Sequence, residues 1–292
     1  MSSPPRRPPR SVIYRRRLVA LGVVGAGFLV AWFAVGKVRG GSGEPTTPAV
    51  APPPRPFRVV FPEGFTREQM AARVAAVARI AEHERGRRPR LSAPQYLAAS
   101  ARPHREAGFG AGRLPLEGFL FPATYQFTVR TTSAQLVRAQ LAAFRRNWAK
   151  VRLGYARSKN LTPYDVLAIA SMVEKEARVR EERPLVAAVV YNRLHARMPL
   201  GIDATLRYGL GIPATESIRR SQLESPSPYN TRKRLGLPPT PIANPGLASM
   251  EAAAHPARVD YVYFVRKPDH LHHFFTASFS EFERYKAEHG YP

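Results

Sequence analysis

No cysteine occurs among the 292 residues, so the chain has no disulfide framework, no thiol nucleophile and no cysteine-ligated metal. Acidic residues are scarce as well: 21 Asp and Glu stand against 45 Lys and Arg, a net charge of +24. Such an excess points to nucleic acid, to an anionic membrane or wall surface, or to plain compositional bias. Three familiar catalytic devices are missing too: a G-x-S-x-G elbow, a Walker A run and an H-E-x-x-H zinc helix. The glycine-rich stretch 108–112 has neither the preceding apolar strand nor the βαβ context of a dinucleotide site, and it reads as a loop between subdomains.

The distribution of charge separates the explanations. Arg6, Arg7, Arg10, Arg15, Arg16 and Arg17 precede any acidic residue, and the run 18–36 behind them carries no charge. At about 1.5 Å per residue this run makes roughly 28 Å of helix, close to the roughly 30 Å hydrocarbon core of a bilayer. Lys37 and Arg39 follow where a cleaved signal peptide would carry a small-x-small site, so a retained anchor is expected. The flanking arginines place the N-terminus in the cytoplasm and everything downstream outside, a single-pass protein of the cell membrane. Nucleic acid is then excluded as a partner by compartment.

Residues 39–56, rich in Gly, Pro, Thr and Ala, cannot bury enough apolar surface to fold, and read as a linker. The expected organisation is a basic cytoplasmic tail (1–17), a transmembrane helix (18–38), this linker (39–56), a small subdomain (57–113) and a larger domain (114–292). The small subdomain opens with a strand over 57–61, a Pro62-Glu63-Gly64 turn and an amphipathic helix over 67–81 with Thr66 as N-cap. Ser92, Ala93 and Pro94 open a second helix. Further helices are predicted over 133–150, from Pro163 through Ala177, over 184–195 and over 280–289, with strands over 261–265 and 272–276. Residues 198–245, rich in Pro, Gly and Ser, read as a long loop of the kind that builds binding surfaces. The class is α+β.

The candidate acids lie at the end of the Pro163 helix. Thr162 caps it, Pro163 takes its first position and Asp165 its first turn, which fixes the register. Val166, Leu167, Ala170, Val173 and Ala177 then share a face, and Glu174 falls between the Leu167 and Ala170 rows. Desolvation there would raise its pKa and let it hold a proton as a general acid; the alternative is an ordinary i,i+4 pair with Arg178. Glu176, about 160° away around the helix, is expected to form a solvated pair with Arg180. Among His270, His272 and His273, strand alternation brings only His270 and His272 together, and no carboxylate stands at a ligand spacing, so no metal site is predicted.

Several ordered stretches resemble a known family, the endolytic murein transglycosylases of the MltG (YceG-like) family. They include Phe61-Pro62-Glu63-Gly64, Glu117-Gly118-Phe119-Leu120-Phe121-Pro122, Ser171-Met172-Val173-Glu174-Lys175-Glu176, Tyr191-Asn192-Arg193-Leu194, Asp203-Ala204-Thr205, Tyr229-Asn230-Thr231, Asn244-Pro245-Gly246 and Ala254-His255-Pro256. The resemblance runs from residue 57 to the end. It implies a single-span anchor, a small LysM-like subdomain and a catalytic domain that cuts peptidoglycan glycan strands between MurNAc and GlcNAc, leaves 1,6-anhydroMurNAc ends and limits strand elongation. It implies no cofactor, Glu174 as the catalytic acid, and association with peptidoglycan synthases. Asn192, Asp203, Thr205, Tyr229 and Asn230 are the substrate-binding candidates it suggests. Asp203 could equally cap a turn, and Tyr229 and Asn230 could form a Pro-flanked turn in which Asn bonds its own backbone. The chain departs from the family pattern at Gly201, Arg232 and Phe282. The alternative function is a non-catalytic wall-binding division or elongation scaffold, which would tolerate a neutral residue at position 174.

Overall fold

The computed structural model describes residues 56–110, 112 and 114–291. The expected tail, transmembrane run and most of the linker lie outside the described residues, and among these no helix is long and apolar enough to cross a membrane.

The chain enters on β1 (Phe57–Val60), then α1 (Arg67–Arg85), α2 (Ala93–Ala101) and β2 (Thr124–Phe127). β1 and β2 pair antiparallel, Phe57 opposite Phe127 and Val60 opposite Thr124, so the strand that closes this unit lies beyond the expected subdomain edge at 113. Both helices start where side chains can replace missing helical acceptors. Thr66 and Gln69 form a reciprocal capping box on α1, and Ser92 accepts from the Gln95 amide on α2. Met70, Val74, Tyr96, Val59 and Phe61 fill the space between sheet and helices.

α3 (Ser133–Trp148) and the short α4 (Gly154–Ser158) lead to α5 (Pro163–Glu176); after a 3₁₀ turn (Arg180–Glu182) come α6 (Arg183–His195), α7 (Asp203–Leu210), α8 (Arg220–Leu223) and α9 (Leu247–Ala254). α5 is the core of this region. Every residue from Val166 to Val173 is buried, which makes it a helix apolar all round, enclosed by α6 and α9, and not an amphipathic surface helix. Part of the expected 198–245 loop is thus helical, in α7 and α8. The rest is irregular and pinned by buried side chains such as Asn230 and Asn244.

The chain closes with a β3 (Tyr263–Arg266) and β4 (His273–Thr276) hairpin, backed by α10 (Phe279–Glu288). His273 is buried, and its Nδ1 lies 2.7 Å from Glu182 Oε2, so it is not the solvated strand histidine expected; His272 pairs with Asp269 in the turn instead. The described residues form an α+β fold with two small separate sheets.

Candidate active site

Thr162, Pro163 and Asp165 start α5 as the sequence implies. The Asp165 amide donates to Thr162 Oγ1 (3.2 Å) and the Thr162 amide to Asp165 Oδ2 (2.8 Å). The helix then runs through the core and emerges at its last turn, where Glu174 and Glu176 leave in nearly opposite directions.

Glu174 goes inward to a closed corner. Its side chain is 6 % exposed; Oε2 accepts the Gly246 N–H (2.9 Å), and Oε1 lies 3.6 Å from Arg183 Nη2. Arg183 also donates to Ser249 Oγ (3.0 Å) and approaches Glu63 Oε2 at 4.0 Å. Gly64 lies against the Glu174 chain, and a Cβ at Gly246 would meet the Glu63 carboxylate, which would have to move aside. Burial raises the pKa of Glu63 and the Glu174 charge adds to this, while Arg183 and Arg180 oppose it.

Glu176 instead lines a cleft of about 1300 Å³. Burial pushes its pKa above the ordinary carboxylate value. Arg266 opposes this, the Asp203 charge adds to it, and the Ala204 N–H and Lys175 oppose it. The expected exposed pair with Arg180 does not form, because Arg180 belongs to the 3₁₀ turn on the Arg183 side, whereas Glu176 turns toward β3 and α7. Lys175, between the two acids, donates to Gly64 O (3.3 Å); burial lowers its pKa, and Glu174, Glu176 and Glu117 raise it.

Glu117 is a further acid in the cleft wall, and one the sequence reading did not single out. The Arg67 N–H donates to both its oxygens (3.1 and 3.2 Å), Asn244 Nδ2 to Oε1 (2.7 Å) and the Tyr208 hydroxyl to Oε2 (3.2 Å). Burial outweighs these donors and pushes its pKa up to about 7. Asn244 ties the same knot from the other side: its Oδ1 accepts the Gly118 and Leu120 amides (2.9 Å each) and its Nδ2 also donates to Phe65 O (2.9 Å). The N-terminus of α1 and the 240s segment are thereby locked together beside the cleft. Glu117 sits in an irregular segment, without the helical register that drew attention to α5; its only sequence signal was its place in a family-like stretch.

Of the binding candidates, Asp203 and Tyr229 line the cleft. Asp203 opens α7 and its Oδ1 accepts from Arg232 Nε (2.9 Å) and Nη2 (2.6 Å). Tyr229 packs edge-on against Tyr208, ring centres 5.2 Å apart, with its hydroxyl 2.9 Å from Thr240 Oγ1. The other three lie elsewhere, each occupied by backbone. Asn192 donates to Val259 O and Tyr261 O (2.9 Å each) beside a separate cavity of about 670 Å³. Thr205 is fully buried between Ile202 O (2.7 Å) and Thr231 Oγ1 (2.9 Å). Asn230, also fully buried, donates to Leu223 O and Ser225 O (2.9 Å each), the turn-forming role weighed beside binding. Gly201, Arg232 and Phe282, the three departures, all line the cleft.

Comparison with known proteins agrees with this architecture. An endolytic murein transglycosylase from Bacillus subtilis (strain 168) is 39% identical over 153 residues, covering 52% of this chain and 42% of the relative. One from Streptococcus pneumoniae (strain R6) is 32% identical over 272 residues, covering 86% and 47%. The chain thus spans less than half the length of the curated relatives it matches. The crystal structure of a YceG-like protein from Listeria monocytogenes superposes with a TM-score of 0.65 at 31% identity, covering 78% of this chain and 76% of that one. The YceG-like family model itself matches residues 46–288, from before β1 to the end of α10, and the chain belongs to that family.

Proposed function

We propose that the protein is a membrane-anchored lytic transglycosylase that cuts peptidoglycan glycan strands internally, with Glu176 as its acid and base. The single observation that carries this reading is the placement of Glu176: a half-buried carboxyl with a raised pKa, open to a cleft large enough for several sugar rings. Glu174, the acid expected from the sequence, supports the site from behind by holding Gly246 and Arg183. The raised pKa keeps Glu176 protonated until it meets the bridging oxygen between MurNAc and GlcNAc. It gives that proton to the leaving sugar as the C1–O bond breaks. As a carboxylate it then takes the proton from the muramic C6 hydroxyl, whose oxygen closes onto C1 as a 1,6-anhydro ring. Asp203 and Tyr229 hold the strand in the cleft.

The names of the relatives and the family match support the reaction class. The uncharged run 18–36 and its arginine flank support the anchor, and hence an extracytoplasmic cleft that works beside peptidoglycan synthases. The β1-α1-α2-β2 unit, with its antiparallel strand pair, supports a LysM-like wall-binding role. A second reading has its own observation: Asp203 shares the cleft with Glu176, and two carboxylates flanking one bond suit a hydrolase that uses water. Mass spectrometry of products from purified peptidoglycan separates the two. Anhydro ends support the lyase, reducing ends the hydrolase, and intact strands a scaffold.

A further inference from the structure

The wall of the cleft is strongly cationic: it carries eight Lys and Arg against four Asp and Glu. Most of these charges are engaged. Arg193 donates to Val262 O and Leu200 O (2.6 Å each), Arg207 to Pro213 O and Glu216 O (2.8 Å each), and Arg232 to Asp203. Arg178 and Arg266 are different, since neither has a hydrogen-bond or ion-pair partner among the described residues. Arg178 lies two residues past Glu176 on the segment leaving α5, and Arg266, at the end of β3, faces Glu176.

An arginine presents a planar fork of donors that matches a carboxylate, and low-dielectric walls concentrate its field inside a cleft. Donors left free there are complementary to an anionic ligand. Resting on the glycan-strand reading above, we propose that Arg178 and Arg266 form a carboxylate subsite that takes the free carboxylates of the peptide stems hanging from the strand. The cleft then distinguishes an anionic, stem-bearing glycan from a neutral glycan of the same backbone. Arg178 is the specificity-determining member, since Arg266 is shared with the acid.

The test separates binding from cleavage. Stem-bearing glycan fragments are prepared in two forms, native and with their free carboxylates converted to methylamides, which leaves the glycosidic bonds intact. Binding of both is measured by calorimetry to the full chain carrying Glu176→Gln, so that no turnover intervenes. The native form should bind roughly threefold to tenfold more tightly than the amidated form, as expected for a partly exposed charge pair. Adding Arg178→Gln should erase that difference by weakening the native form, and Arg178→Lys should restore part of it. Equal affinity for the two forms, or a preference that survives Arg178→Gln, overturns the subsite. Failure of the wild-type chain to cut either form, with the binding difference intact, counts against the transglycosylase reading and leaves the subsite standing.

Discussion

The division of labour between Glu174 and Glu176 can be tested by exchanging each carboxylate for its amide. Glu176→Gln keeps the shape and removes the proton; loss of a sole general acid should slow cleavage by at least 10²- to 10⁴-fold, about 3–5 kcal/mol of barrier. Its folded state should lose nothing, because the variant places a neutral amide where burial already disfavours a charged carboxylate. Glu174→Gln should behave in the opposite way. Its amide oxygen can still accept the Gly246 N–H at 2.9 Å, so the turn at α9 survives. What disappears is the negative charge 3.6 Å from Arg183, a side chain only 14 % exposed whose remaining acid, Glu63, lies at 4.0 Å. Leaving that guanidinium partly uncompensated should cost about 1–3 kcal/mol of stability, a melting temperature lower by several degrees. Cleavage should fall by no more than about tenfold, through slight displacement of α5. Product formation from purified peptidoglycan and calorimetric melting, measured on both variants, give the four numbers needed. A folded, silent Glu174→Gln beside an active Glu176→Gln would refute the assignment.

Three further outcomes follow from the same geometry. The Glu117 carboxyl is raised from its ordinary 4.5 to about 7, so the folded chain binds its proton more tightly than the unfolded one; its stabilising contribution is complete below about pH 4.5 and is lost as pH rises to about 7. That loss is about 3 kcal/mol, and the difference in denaturant stability between wild type and Glu117→Gln should change by this amount across the window, whereas a flat difference would reject the buried-carboxyl account. Asn230→Ala should lower stability by about 2–4 kcal/mol, since it strips the Leu223 and Ser225 carbonyls of their donor, while any surviving activity keeps the wild-type product ends; a change of product with unchanged melting would make it a substrate contact after all. Gly118 has φ +92°, and a Cβ there would come within 2.7 Å of Pro241, so Gly118→Ala should destabilise by more than about 1 kcal/mol, as read by chemical denaturation.

What the sequence revealed and what it hid divide along local and non-local physics. Start signals are local: Thr66, Ser92, Thr132, Thr162 and Ser278 each cap the helix that begins after them, because an orphan amide needs an oxygen within three residues. The capped helices were therefore legible, and so were the C-terminal hairpin and the α+β class, whereas α4, α7 and α9, which no side chain caps, were not. The surroundings of the two acids were not legible either. The apolar stripe of α5 picks out Glu174 as the more desolvated acid, and its side chain is only 6 % exposed. But α5 is buried on all sides from Val166 to Val173, so its stripe carries no information about where the chain opens to solvent. That direction is set by segments far away in sequence: Gly246 and Arg183 close over Glu174, while Asp203, Ala204 and Arg266 stand around Glu176.

The same argument explains the binding candidates. Asn192, Thr205 and Asn230 belong to family-like stretches, yet in the fold each satisfies buried backbone groups that the irregular segments around them leave unpaired. A loop-rich domain needs such polar braces as much as it needs ligand contacts, and a motif does not say which of the two a residue provides. In the fold, Glu176, Asp203 and Tyr229 line the cleft, together with Arg178 and Arg266. Glu174, the first acid of the Glu174-Lys175-Glu176 run, joins the end of α5 to the starts of α6 and α9.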